Sequence, residues 1–115
     1  MTTPTGELYA LPVMIELDDV FALRDRRFQV DDYVRQLKTA IDVMHRDAAS
    51  TGRLFVLNLH AWLSGQPFRA RFLADAISYI AGRDGVWAAT GSEIVDWYRA
   101  EMTRRGREGR VVETP

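Results

Sequence analysis

The 115-residue chain is 47% hydrophobic, which supports one small domain with a core and not two. Its formal net charge of −1, with basic and acidic residues interleaved, excludes the electrostatic footprint of a nucleic-acid binder, and the absence of cysteine excludes disulfides and thiolate metal sites. No apolar run approaches the ~18–20 residues that span a bilayer, and Met1–Glu7 lacks the basic start and apolar stretch of a secretory signal, so no membrane partner and a cytoplasmic location are expected.

After a flexible start over Met1–Glu7, the almost continuously apolar Leu8–Leu17 (LYALPVMIEL) is expected as the first strand of a sheet covered on both faces. Pro12 has no N–H, so this strand lies at an edge, begins after Pro12 or bulges there. Glu16, Asp18 and Asp19 then fall at its carboxyl end. Three carboxylates in four positions can tune acid and base chemistry or bind a cation; a solvated Asx turn is the alternative. Phe21–Val30 has no clean period and reads as a loop whose Arg24, Arg26 and Arg27 either meet an anionic or polar substrate or are solvated. A helix begins at Asp31 or Asp32, where acidic side chains complement the helix dipole. Val34, Leu37, Ile41, Met44 and Ala48 make its buried stripe, and Thr51-Gly52 ends it. His45, beside that stripe, is expected to be structural or at the surface.

Arg53–Leu59 (RLFVLNL) is too short and too rich in β-formers for a helix and is bounded by turn residues, so it reads as a buried strand delivering His60 to a site. Ligands of α/β sheets and barrels sit just beyond the carboxyl ends of the strands, where His60 would emerge. An imidazole titrates near neutrality and suits general acid or base work there; a hydrogen-bonded structural role is the alternative. Trp62 either presents its flat face to a sugar or heterocyclic ring or acts as a lid. A second helix opens near Pro67, packs through Phe72, Leu73, Ala76, Ile77 and Ile80, and stops at Gly82. Val86–Ala89 is a short third strand, and Thr90-Gly91-Ser92-Glu93 has the form of a capping box opening a third helix that packs through Ile94, Val95, Trp97, Tyr98 and Met102. From Arg104 a frayed end and a polar tail are expected. The order is βαβαβα, an α/β unit of parallel strands over residues 8–103 with right-handed crossovers. Three such strands leave an edge and apolar surface for another chain to cover.

Leu57-Asn58-Leu59-His60, with Gly65-Gln66-Pro67-Phe68-Arg69 after it and Gly85-Val86-Trp87-Ala88-Ala89-Thr90, Glu93-Ile94 and Trp97-Tyr98 beyond, resembles the C-terminal end of the polysaccharide deacetylase (NodB-homology) family. The likeness is nearest to its allantoinase-like and peptidoglycan-deacetylase-like branch and covers roughly Leu8–Met102. Leu11-Pro12 and Glu16-Leu17-Asp18-Asp19 look like the proline-containing strand and E-x-N-D turn of that branch. Where family members usually have proline after the histidine, this chain has Ala61.

The resemblance implies the last three units of a distorted (β/α) barrel and a hydrolase acting on non-peptide C–N bonds. His60 matches the histidine that protonates the leaving amine, with Leu57 and Leu59 as candidates for an acyl pocket and Trp62, Glu16, Asp18 and Asp19 for substrate binding. It also implies a divalent metal held by an aspartate and two histidines near the start of a complete domain. Those motifs are not in this chain, whose only histidines are His45 and His60, so no metal ligand is assigned and the chain alone is expected to be inactive. Three readings stay open: a C-terminal portion completed by a missing N-terminal half, a non-catalytic module binding a carbohydrate or small cyclic amide, and a homo-oligomeric α/β interaction protein.

Overall fold

The structure is a computed structural model that describes residues 1–112, and side chains as far as residue 107. It is mostly helical, and its chain divides into two compact units: Pro12–Trp87, and Met1–Leu11 together with the chain from Ala88 onward. No helix of the described residues is long and apolar enough to cross a membrane.

In the larger unit, helices α1 (Val30–Asp47) and α2 (Pro67–Ala81) pack against each other. Helix α1 carries Asp31 and Asp32 in its first turn and buries Tyr33, Val34, Leu37 and Ile41, the stripe that a 3.6-residue period places on one face. Its neighbour α2 has Pro67 in its first turn, where the missing N–H costs nothing, and buries Leu73 and Ala76. Ala22, Tyr33, Val34, Leu37, Leu73 and Ala76 form the core, with Phe55, Leu57, Leu59 and Phe72 packed against it. Burying one such leucine side chain is worth about 1.5–3 kcal/mol, so this core and not the exposed Lys38–Asp75 ion pair (2.7 Å) holds α1 to α2. Ala48 caps α1, and a turn over 48–50 ends it before Gly52. His45 spans from α1 to the carbonyl of Asp84, 2.7 Å away, and so has a structural partner.

The expected parallel sheet is absent from the described residues. Gly52–His60 and Val86–Thr90 run extended but pair with nothing in a ladder, and Leu8–Met14, apart from the Leu8 N–H that donates to Met1 O at 2.8 Å, joins none before a 3-10 turn at Ile15–Leu17. The βαβαβα reading is corrected accordingly, and among the described residues the two-stranded sheet β1–β2 is the one ladder formed. Helices close their hydrogen bonds within themselves, whereas parallel strands depend on neighbours and on cover for both faces. Here Phe55, Leu57 and Leu59 face the helical core with the period of a strand, and the segment lies over α1 and α2 as a single extended line.

The smaller unit opens with an antiparallel hairpin of β1 (Thr2–Thr3) and β2 (Gly6–Glu7), where a flexible start was expected. Gly6 turns it at φ 140°, a conformation that favours glycine. Helix α3 (Gly91–Val112) begins with the expected capping box: Glu93 accepts the Thr90 N–H at 2.6 Å and donates its own N–H to Thr90 Oγ1 at 3.2 Å. It continues past Arg104, where fraying was expected, supported by ion pairs of Glu101 with Arg104 and Arg105 one turn on. The expected tail over 113–115 lies outside the described residues. Ile94 and Val95 are half-buried, and Trp97, Tyr98 and Met102 are exposed, although Tyr98 meets Tyr9 edge-on at 6.0 Å.

Candidate functional site

Asp18 and Asp19 do different work because they stand where one helical turn stops and another begins. Asp18 accepts the N–H groups of Val20 (2.8 Å) and Phe21 (3.3 Å), donors that the start of the π-helical turn Val20–Asp25 would otherwise leave unpaired. Its second oxygen accepts from Asn58 Nδ2 at 2.6 Å. Asp19 is fully buried.

The extended segment ends at His60, whose carbonyl accepts from Leu63 N–H and Ser64 N–H, both at 3.0 Å, and so starts a tight turn. Gly65 closes that turn: a Cβ there would lie 2.4 Å from the carbonyl oxygen of Ala61, closer than any side chain tolerates. The turn returns Ser64 to the buried side of His60, where its hydroxyl donates to Asp19 Oδ2.

Asp19 thereby gathers three donors. Its Oδ1 accepts from His60 Nδ1 at 2.6 Å, and its Oδ2 accepts the His60 backbone N–H at 2.7 Å and the Ser64 hydroxyl. Burial alone would raise the Asp19 pKa, but hydrogen bonds from the Ser64 hydroxyl, the His60 backbone and the His60 ring outweigh it and lower the value below the usual carboxylate range. The carboxylate stays ionised and has to be met by Nδ1–H, which leaves Nε2 of the imidazole for chemistry. His60 is 37% exposed at the side chain, so the ring is held from behind and open in front. Below the pair, the buried Tyr33 donates its hydroxyl to Leu17 O at 2.6 Å; burial and then the charges of Asp19 and Asp18 raise its pKa and keep the phenol neutral.

Oxygen and nitrogen atoms of Asp18, Asp19 and His60 lie within 4.8 Å of one another, as metal ligands do. In the structure these atoms are joined by hydrogen bonds: Asp19 Oδ1 lies 2.6 Å from His60 Nδ1, and the other three carboxylate oxygens accept N–H or O–H groups.

Of the residues expected to line the site, the structure brings Asp18, Asp19 and His60 together and leaves Glu16 exposed in the 3-10 turn outside the cluster. Trp62 is 55% exposed, its ring 5.9 Å from that of His60. Leu57 and Leu59 are turned into the helical core and occupy packing positions, on the strand face opposite Asn58 and His60. Ser64 and Asn58 belong to the cluster without having been singled out, whereas Arg24 at its border was named with Arg26 and Arg27 as meeting either a substrate or solvent. The signal for Asn58 was available in the period-2 alternation that puts it on the face of His60. Ser64 had none, because its place depends on the turn at Gly65.

The chain is 27% identical over 96 residues to a protein of Schizosaccharomyces pombe named "Putative polysaccharide deacetylase"; the match covers 82% of this chain and 30% of that protein. The chain therefore spans less than a third of the length of the curated relative it matches. No family model and no solved structure matches it.

Proposed function

We propose that this chain supplies the general-acid end of a polysaccharide-deacetylase-like hydrolase site, with His60 as the acid and Asp19 as the residue that positions it. The observation that carries this reading is the buried Asp19 carboxylate held by Ser64 and bonded to both the backbone and the ring of His60. The similarity to the S. pombe protein supports the choice of an N-acyl bond as the target.

In this reading the protonated imidazole presents Nε2–H to the nitrogen of the scissile amide. As the C–N bond breaks, its electron pair goes to nitrogen, which takes the Nε2 proton and leaves as an amine. The ring returns to the neutral form with hydrogen on Nδ1. Asp19 faces the positive ring before the transfer and fixes the same nitrogen as donor after it. Activation of the attacking water lies outside these residues and is assigned to a completing part of the domain, in the same polypeptide or a partner chain. The finer placement in the allantoinase-like and peptidoglycan-deacetylase-like branch, and a C-terminal barrel segment as the completed fold, belong to this proposal. A second reading, a module that binds a carbohydrate or small cyclic amide without chemistry, is favoured by one observation: the exposed indole of Trp62 beside His60.

The test combines the chain with the portion of the S. pombe relative that lies outside the matched residues and follows acetate release from an N-acetylglucosamine oligosaccharide. With wild-type chain, turnover is expected; His60→Ala should lower kcat by about 10²-fold or more, the usual weight of a general acid. An unchanged rate in the variant removes His60 from the mechanism, and binding of the oligosaccharide without turnover favours the second reading.

A further inference from the structure

Arg24 stands on the open side of the same site. It projects from the last turn of the π-helical segment Val20–Asp25, with its guanidinium carbon 6.0 Å from the centroid of the Trp62 ring. The indole in turn lies 5.9 Å from the imidazole of His60. One aromatic ring thus adjoins the proposed acid and a cation at once. Trp62 is 55% exposed, although tryptophan is buried on average, and the Arg24 side chain is 62% exposed.

Arg24 gives this platform a cation whose fork is open. Arg24 meets Asp25 only through Nε, at 3.2 Å, and its two terminal nitrogens have no hydrogen-bond partner among the described residues. Asp18 and Asp19, the negative groups beside His60, are engaged by Asn58, by Ser64, by His60 and by backbone N–H groups. Arg26 and Arg27 follow two and three positions on, both exposed. A guanidinium with its terminal fork free matches a carboxylate in bidentate geometry, and an indole beside it matches the apolar face of a sugar ring.

We propose that Arg24 is a specificity-determining residue that reads a carboxylate on the substrate, so that the site selects N-acylated sugar acids over neutral N-acyl sugars. The inference rests on the deacetylase-like reading of His60. It assigns the ring to Trp62, the acyl nitrogen to His60 and the anionic substituent to Arg24.

Two probes that differ only at C6 separate these assignments: N-acetylglucosamine, which ends in a hydroxymethyl group, and N-acetylglucosaminuronic acid, which ends in a carboxylate. Binding to the full chain is followed by NMR titration at the His60 amide and the Trp62 indole N–H. The acid is expected to bind at least tenfold more tightly than the neutral sugar, and the preference should shrink with added salt. Arg24→Ala should abolish the preference by weakening the acid's binding at least tenfold more than the neutral sugar's, and Arg24→Lys, which keeps the charge without the fork, should restore only part of it. Equal affinities in wild type, with both resonances shifting, overturn the role of Arg24 and leave the reading of His60 standing. A preference that survives Arg24→Ala also overturns it. If neither probe moves either resonance, the site reading fails and this inference with it.

Discussion

At the scale of single residues, the site turns on Asp19. Its pKa is lowered in the folded chain, so it binds fewer protons there than when unfolded. The stability it contributes is therefore fully present above the unfolded carboxylate value of about 3.9 and is lost as pH falls through the lower folded value. Asp19→Asn keeps the shape but removes the charge that its three donors share, and is expected to cost about 1–3 kcal/mol in urea unfolding at pH 7. The same variant should flatten the acid limb of the stability profile, so that the gap between wild type and variant narrows as pH falls below about 3.9. A gap that stays constant down the acid limb would show that the hydrogen bonds do not depend on ionisation. Sequence alone made Asp18, Asp19 and His60 legible as groups that could meet. It did not tell which aspartate is buried, because that is decided by the cap that Asp18 provides to Val20 and Phe21.

At the scale of elements, the three α-helices were legible, whereas the strands and the π-helical turn Val20–Asp25, read as a loop, were not. The stripe of Val34, Leu37 and Ile41, the proline that opens α2 and the capping box of Thr90 and Glu93 are local signals, and each reappears in the structure. The apolar runs at Leu8–Leu17, Arg53–Leu59 and Val86–Ala89 carry a true preference for extended backbone, but a ladder needs a neighbour that local sequence cannot supply. One turn is as sharply determined as any helix. Gly65→Ala would place a Cβ against the Ala61 carbonyl and force open the turn that sets Ser64 beneath Asp19. It is expected to destabilise the chain by about 1–3 kcal/mol and to weaken the order of the His60 ring, seen as line broadening of its NMR resonances. A variant as stable as wild type, with a sharp His60 signal, would show that the turn has room the geometry denies.

At the scale of the whole molecule, the larger unit has a core small enough to leave much apolar surface open. Phe68 and Ile77 on α2 are exposed, as is Trp62 beside the site. From Arg53 to Leu59 no backbone group takes part in a backbone–backbone hydrogen bond among the described residues, although Leu54–Leu57 are half-buried. A surface of that kind is expected to associate, by completing a ladder along the extended segment or by a homo-oligomeric contact. The match covers 30% of the S. pombe protein, and the proposed function divides a site accordingly, with the acid and its support in this chain and the activation of water in a completing part.

That division is tested most directly by varying the leaving group. In the combined assembly, wild type and His60→Ala are compared on an N-acetylglucosamine oligosaccharide, whose amine must be protonated to leave, and on 4-nitrophenyl acetate, whose 4-nitrophenolate departs without a proton. His60→Ala is expected to cost about 10²-fold or more on the sugar and close to nothing on the ester. An equal loss on both substrates would contradict the assignment, because a histidine that matters whatever leaves is not acting as the acid.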